Sequence, residues 1–350
     1  MKRNIFTIGL FVSFFLSVFI LMSYFSVFNT FLGFGITKMR ALMSSFIFVF
    51  LYLLVTVLTN FFGESLLSVK RVFNSFIGGI WIFFVVNIFT YLLNLFLKIN
   101  IFYVSIITLI VGITLILYSL FNAYNIKIKN IDIVSEKLDK DYSFVHLSDV
   151  HIGSLHQKEL NRIVDITNKQ NPDFVLITGD LFDEKLNDNA LSVLDEIEVP
   201  VYFSYGNHEL YVKGHEKIMQ GSSNTIVLRN QIVELSKSIN VVGIDDGLKL
   251  SKELSQIEID EKKYNILMYH RPSEVHVAKK NKLDLMLCGH THNGQIWPFK
   301  YLVKLEFKYS YGLFNFDNFN LYVTSGVGFW GPQMRLGTSS EIPVFNLKKR

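Results

Sequence analysis

Four apolar stretches, approximately residues 5–28, 41–62, 76–97 and 101–121, each run for about 20 residues or more without a formal charge. Each is long enough to cross a bilayer as a helix, so the sequence predicts an all-α four-helix transmembrane region over residues 1–124. The links between them are turn-sized and hold Lys38 and Arg40, then Glu64, Lys70 and Arg71, then Lys98 and Asn100. The first stretch follows Lys2 and Arg3 as in a signal peptide, but its apolar run is too long and no small-x-small cleavage site follows. It is expected to be retained. No Asp, Glu, His, Lys or Arg lies within a span, which argues for an anchor rather than a transporter. Asn60, Asn87 and Asn94 are positioned to hydrogen-bond between helices, and Gly78 with Gly79 to let helices approach closely.

Charge divides the chain at the same place. Residues 1–121 contain seven Lys or Arg and one acid, Glu64, whereas residues 122–350 contain 27 bases and 29 acids. The net charge of +4 is therefore +6 on the apolar third and −2 on the remainder. It comes from loops between apolar segments and not from a basic face, so no nucleic-acid partner is expected. At 50% apolar residues the chain is neither disordered nor collagen-like, and Cys288, the single cysteine, excludes a disulfide framework. An even number of spans puts the N-terminus and the last two-thirds on one side. Lys2, Arg3, Lys70, Arg71, Lys127 and Lys129 then lie on that side, against Lys38, Arg40 and Lys98 on the other, which favours a cytoplasmic location for residues 125–350.

From Asn125 the pattern changes to alternation, with Ile126, Ile128, Ile131 and Ile133 among Lys127, Lys129 and Asp132. This marks a half-buried strand and the start of a second domain, residues 125–350. Short apolar runs then alternate with helical patterns. Strands are expected at 143–147, 174–178, 201–205, 264–269 and 283–287, with helices around Leu160, Ile163 and Val164, at 190–197 and at 273–280. Such alternation predicts an α/β sandwich.

The strand ends carry the chemistry. The first strand runs into Asp149, Val150 and His151, the second into Gly179 and Asp180, and the third into Gly206, Asn207, His208 and Glu209. The next two run into His270 and into Gly289, His290, Thr291 and His292. Five of the nine histidines lie in this set. Singly, each cluster also reads as an ordinary turn or helix start. Together, in order at successive strand ends, they supply enough oxygen and imidazole donors for two adjacent metal sites. His146 reads as a strand residue or a supporting donor, His156, His215 and His276 as surface or helix residues, and Cys288 as core packing.

These clusters, with Asp183 completing the second, resemble the motif series of the calcineurin-like metallophosphoesterases over about residues 140–350. Further stretches, at Leu228 to Asn230, Gly243 to Asp246, His292 to Ile296, Tyr311 to Leu313, Ser325 to Gly328, Arg335 to Gly337 and Glu341 with Ile342, resemble its bacterial membrane-associated phosphodiesterase branch. The chain departs from the Ser/Thr protein phosphatases, with Glu184 and Lys185 where they carry Arg-Gly and Tyr205 where they carry Arg. The resemblance implies a four-layer αββα sandwich after the transmembrane region. It also implies that Asp149, His151 and His292 hold one divalent ion, Asn207, His270 and His290 hold another, and Asp180 bridges them. His208 then resembles the residue that stabilises or protonates the leaving oxygen, and Asp183 the carboxylate that orients it. Two ions about 3.5–4 Å apart lower the pKa of a shared water and stabilise an in-line displacement. Imidazole with carboxylate suits Mn, Fe or Zn better than Mg or Ca.

The expectation is a membrane-anchored metal-dependent phosphoester hydrolase of a bacterial inner membrane, acting as a phosphodiesterase or pyrophosphatase on a lipid-linked or envelope-precursor substrate. Trp297, Pro298, Phe299, Tyr301, Leu302 and Val303 read either as rim packing or as apolar surface for an acyl chain. Asp245 and Asp246 read either as turn residues or as substrate contacts. Two alternatives stay open: a hydrolase of soluble phosphodiesters merely located at the membrane, and a non-catalytic metal-dependent receptor for a phosphorylated ligand. No protein partner is expected.

Overall fold

The computed structural model describes residues 2–62, 66–184, 186, 190–212 and 214–350; Glu64, Lys185 and the Asn60 side chain lie outside what it describes. The chain divides into two compact units, Met1–Phe121 with Gly331–Met334, and Asn122–Trp330 with Arg335–Arg350.

The first unit is built on α1 (Lys2–Phe31), α2 (Lys38–Phe62), α3 (Leu67–Leu97) and α4 (Ile101–Tyr124). All four are long and apolar enough to cross a membrane. Helix α3 begins well before residue 76, because hydropathy marks the lipid-compatible part of a helix, whereas Lys70, Arg71 and Asn74 are compatible with helix but not with hydrocarbon. Polar side chains tie the helices together: Asn87 Nδ2 donates to Thr30 Oγ1 at 2.8 Å, Ser26 Oγ to the Ile80 carbonyl at 3.2 Å, and Thr108 Oγ1 to Thr90 Oγ1 at 3.1 Å. Asn94 does not bridge helices. Its Oδ1 accepts the Ile99 N–H at 2.7 Å just beyond the C-terminus of α3, where the backbone turns left-handed at Lys98. Gly78 and Gly79 are buried, as close packing requires.

Among its described residues the second unit contains twelve strands: β1 (Lys127–Ser135), β2 (Tyr142–Leu147), β3 (Phe174–Thr178), β4 (Val201–Ser204), β5 (Thr225–Val227), β6 (Gln231–Ser236), β7 (Ile239–Ile244), β8 (Tyr264–Tyr269), β9 (Leu285–Cys288), β10 (Gly312–Phe316), β11 (Phe319–Val323) and β12 (Glu341–Lys349). Its helices are α5 (Gln157–Asn168), α6 (Asn207–Tyr211), α7 (His215–Met219), α8 (Leu250–Leu254), α9 (Val275–Lys280) and α10 (Phe299–Glu306). The strands form two six-stranded sheets, ordered β1-β12-β2-β3-β4-β5 and β10-β11-β9-β8-β7-β6.

Strand alternation sorts the side chains into layers. Phe144, Phe174, Leu176, Ile266, Met268 and Leu287 point between the sheets into one core. Their neighbours Val145, Val175 and Ile177 point outward against Leu160, Ile163 and Val164 of α5. On the other sheet, Leu267 and Tyr269 point outward against Leu250, Leu254, Val277 and Ala278 of α8 and α9. The result is the four-layer αββα sandwich. The helix expected at 190–197 is instead a 3₁₀ segment, Ser192–Glu196, closed by extended backbone at Ile197 and too short to need α geometry. Helix α9 starts two residues later than expected because Glu274 is left-handed, and β9 starts at Leu285 after left-handed Lys282.

His146 lies between the sheets, fully buried, with Nε2 2.7 Å from Thr178 Oγ1. Burial pulls its pKa from 6.5 to about 3, against the opposing charge of Asp149. The unfolded chain takes up this proton near pH 6.5 and the folded chain only near 3, so stability is complete above 6.5 and falls as the pH drops through that window. His146→Gln should flatten the acid side of the stability–pH curve by about 2 kcal/mol between the ordinary histidine pKa and about pH 5. Urea unfolding of the detergent-solubilised chain across this range reads the effect, and equal slopes for both proteins would refute it.

Candidate metal centre

Each sequence-predicted ligand, and the acid candidate His208, sits just beyond the carboxyl end of a strand. Asp149 and His151 follow β2, Asp180 follows β3, and Asn207 and His208 open α6 after β4. His270 follows β8, and His290 and His292 follow β9. The first five therefore come from one sheet and the last three from the other.

The loops reach the site through unusual backbone. Asp149, His151, Asp180, His290 and His292 all have positive φ, between 46° and 67°. For residues with a Cβ this is a strained conformation that persists only where the surroundings enforce it. Here the loops hold one another: the Asp149 N–H donates to the Gly179 carbonyl at 3.1 Å, and the His151 N–H to the Asp180 carbonyl at 3.0 Å. Gly206 faces Asp180 so closely that a Cβ there would overlap the Asp180 amide nitrogen and carboxylate. Only glycine permits that approach.

Side chains then converge. Asp149 Oδ1 is 3.2 Å from His292 Nε2, and His292 Nε2 is 3.1 Å from His151 Nε2. Asp180 Oδ2 is 3.1 Å from His270 Nε2 and 3.9 Å from the Nε2 atoms of both His151 and His208. His290 Nδ1 lies 3.3 Å from His270 Nε2. Three overlapping donor groups result: Asp149, His151 and His292; His151, Asp180 and His208; and Asp180, His270 and His290. Asp180 occupies the middle.

Backbone contacts orient these groups. His270 Nδ1 donates to the Thr178 carbonyl at 2.7 Å, which turns Nε2 toward Asp180 and His290. Asp180 Oδ1 accepts the His208 N–H at 2.9 Å. Asp149 accepts the His290 N–H at 3.1 Å and the Ser148 hydroxyl at 2.7 Å.

Electrostatics follow from crowding. Burial opposes ionisation of Asp149 and Asp180, but the imidazoles of His292, His270 and His151 hold both carboxyls below their ordinary range. Burial likewise works against a charged His270, yet Asp180 and Asp149 raise it to about 10. Burial pushes His290 down to about 3, and His151 well below its ordinary value.

The donor set fits divalent cations. Among the described residues Asn207 Oδ1 is buried without a hydrogen-bond partner, which is costly for an amide oxygen unless something electropositive faces it. Imidazole nitrogens approach one another at 3.1 and 3.3 Å beside ionised carboxylates, a mixed nitrogen and oxygen donor cluster that suits a divalent cation.

Asp183 Oδ2 lies 3.6 Å from His151 Nδ1 and accepts the Ser154 hydroxyl at 2.6 Å, and Asp180 Oδ2 lies 3.9 Å from His208 Nε2. His156, His215, His276 and Cys288 are outside the three donor groups, and Cys288 is buried in the core. Asp245 and Asp246 pair with arginines: Arg229 donates to Asp245 at 2.7 Å and Arg271 lies 3.1 Å from Asp246.

Two supporting residues were not assigned a role from the sequence. Glu209 is buried, and its carboxylate accepts the N–H groups of Asp180, Leu181, Phe182 and Gly206 at 2.7–3.2 Å. Burial and then the charge of Asp180 push this carboxyl up to about 8, yet both oxygens already accept two N–H groups, an arrangement only the ionised form completes. Arg335 is fully buried and donates to the carbonyls of Ser325 at 2.7 Å, Gly328 at 2.6 Å and His292 at 3.4 Å, fastening the His292 loop to the Ser325–Gly328 loop. The available signals were position alone: a Glu three residues into a helix start, and an Arg within a family-like stretch.

Comparison with known proteins places this geometry in context. Residues 142–294 match the family described as calcineurin-like phosphoesterase. An uncharacterized metallophosphoesterase of Campylobacter jejuni is 36% identical over 271 residues, covering 73% of this chain and 71% of that protein. One from Helicobacter pylori is 37% identical over 237 residues, covering 63% and 64%. A transmembrane protein with metallophosphoesterase domain from Danio rerio is 31% identical over 278 residues, covering 70% and 63%. The chain thus spans just under two thirds of the latter two relatives.

Glu209→Gln should turn an amide NH₂ toward N–H donors and leave at least one of them unpaired. A loss of about 1–3 kcal/mol is expected in unfolding of the solubilised chain. Unchanged stability would mean that the β3 and β4 loops do not depend on this carboxylate.

Proposed function

The chain belongs to the calcineurin-like metallophosphoesterases, and from that premise we propose that it is a membrane-anchored, dinuclear-metal-dependent phosphodiesterase or pyrophosphatase with a lipid-linked or envelope-precursor substrate. The single observation that supports the hydrolytic reading is that two of the overlapping donor groups share Asp180, and one of them shares His151 with the third. Residues 1–124 serve as the membrane region and residues 125–350 as the catalytic domain, in a bacterial inner membrane with the domain on the cytoplasmic side. The apolar length of α1 to α4 and the Danio rerio relative's name support the anchoring, and the distribution of Lys and Arg between the links supports the sidedness.

In this reading Asp149, His151 and His292 hold one divalent ion, Asn207, His270 and His290 the other, and Asp180 lies between them; Mn, Fe or Zn suits the donors. When bound, the ion pair supplies an acidified water and charge stabilisation for the phosphoryl oxygens. The chain's own residues do the positioning. Asp180 offsets the repulsion between like charges with one carboxylate, and the Thr178 carbonyl fixes the His270 tautomer. Asp183 and Ser154 aim His151, and Arg335 fixes the His292 loop. His208 is one of the partly exposed imidazoles of the group, with its backbone N–H tied to Asp180 and its ring set edge-on to His151 at 4.8 Å. In this reading it donates a proton to the leaving oxygen, with Asp183 as the carboxylate that orients it.

Two substitutions separate ligation from proton delivery. Asp180→Asn should lose bound metal and activity together. His208→Gln should retain two ions per chain and lose about 10²–10⁴ in turnover. Metal analysis and turnover of purified Mn-loaded protein in detergent, against phosphomonoesters, phosphodiesters and lipid-linked phosphates, read both. Full rate from a metal-free Asp180→Asn protein would reject the ion pair. A His208→Gln protein with normal turnover would reject the acid role. Equal preference for soluble and lipid-linked diesters would reject the lipid-linked substrate.

A further inference from the structure

Helix α10 (Phe299–Glu306) has no buried residue, although half of it is large and apolar. Tyr301, Leu302 and Leu305, at i, i+1 and i+4, share one side and are 54%, 58% and 84% exposed. An eight-residue helix has little stability of its own in water, and this one does not gain it by burying its apolar side against the domain. Both ends of the segment are instead tied to the loop that carries His290 and His292. At the N-terminal end, the backbone of Phe299 and Lys300 packs against Gly294 so tightly that no Cβ would fit there. At the other end, the Phe307 ring stands edge-on to His290 at 5.5 Å, and the Ser310 carbonyl accepts the Thr291 hydroxyl at 2.7 Å. The helix is therefore held out from the candidate centre with its apolar side facing away from the domain.

The charges around that side name what covers it. Lys300 and Lys304 border the apolar stripe on one side and Glu306 on the other, with Lys308 just beyond the helix end. An apolar stripe edged by lysines, with aromatic Phe299 and Tyr301 among the aliphatic residues, has the composition of a helix that lies in the headgroup region of a bilayer. Lysine stems can follow the acyl boundary while the ammonium groups meet lipid phosphates.

We infer that α10 is an interfacial helix that docks on anionic lipid and holds the His290–His292 side of the centre at the headgroup level. The inference rests on the membrane-spanning reading of residues 1–124 and deepens the proposed substrate class. A phosphoester that is part of a lipid headgroup would be met where it lies, without extraction into water. Apolar residues on α10 then serve the surface and not an individual acyl chain.

The test uses the full chain in nanodiscs of phosphatidylcholine, with and without phosphatidylglycerol. A polarity-sensitive fluorophore is attached at Leu305→Cys, and in a separate protein at Phe50→Cys on α2 as a reference for a membrane span; the unsubstituted chain controls for labelling of Cys288. Quenching by nitroxide-bearing lipid is compared with quenching by aqueous iodide. The expected result is that the Leu305 probe is quenched by lipid-borne nitroxide in anionic discs and protected from iodide. Lys304→Gln and Lys308→Gln should each reduce the lipid-quenched population about fivefold, as about 1 kcal/mol per basic residue at an anionic surface implies. A Phe50 probe quenched by lipid with a Leu305 probe open to iodide would overturn the inference and leave the spans intact. A Leu305 probe protected from both quenchers would assign the face to protein and also overturn it. If neither probe is lipid-quenched, the spanning reading fails and takes the inference with it. Lipid quenching unaffected by both lysine changes would overturn anionic docking.

Discussion

Two buried anions set the terms for the catalytic unit. Asp149 and Asp180 are almost wholly withdrawn from solvent, yet the imidazoles around them keep both carboxyls ionised. Burying one unpaired charge is already costly, and bringing two together would be prohibitive without compensating positive charge and directed hydrogen bonds. The surrounding architecture answers that requirement. Backbone amides of His208 and His290 point at the carboxylates, Glu209 fixes the turn that presents Asp180, and left-handed residues bend the loops inward. Strained backbone at ligand positions follows from where the anions must sit.

The arrangement of layers was legible because the relevant signal is periodic. Phe174 to Thr178 and Tyr264 to Tyr269 alternate between the two cores as a strand must, and both bounds agree with the apolar runs. The donors were legible for a related reason, since clusters at successive strand ends need no three-dimensional information to be noticed as a series. Details set by tertiary contact were not readable. Nothing in the spacing puts Asp183 beside His151, because that depends on how the β2 and β3 loops cross. Asn94 looked like an interhelical donor, and its use at a helix end is decided by the turn at Lys98. Arg335 carries its meaning in the carbonyls it gathers, one of them from His292, 43 residues away.

The apolar unit illustrates a different limit. Hydropathy located the spans but underestimated α3, because membrane thickness and helix length are separate quantities. The hydrogen bonds from Asn87 to Thr30, Ser26 to Ile80 and Thr108 to Thr90 use side chains with no formal charge, as packing between apolar helices requires.

The division of donors between the two sheets has a mechanical corollary. Five of the gathered residues ride on one sheet and three on the other, so any slip of one sheet against its neighbour would alter the gap that cations must fill. Cations seated there would act as rivets through the sandwich, and their binding energy would be shared with the hydrophobic interlayer. Metal supply would then govern the lifetime of the folded domain as well as its turnover.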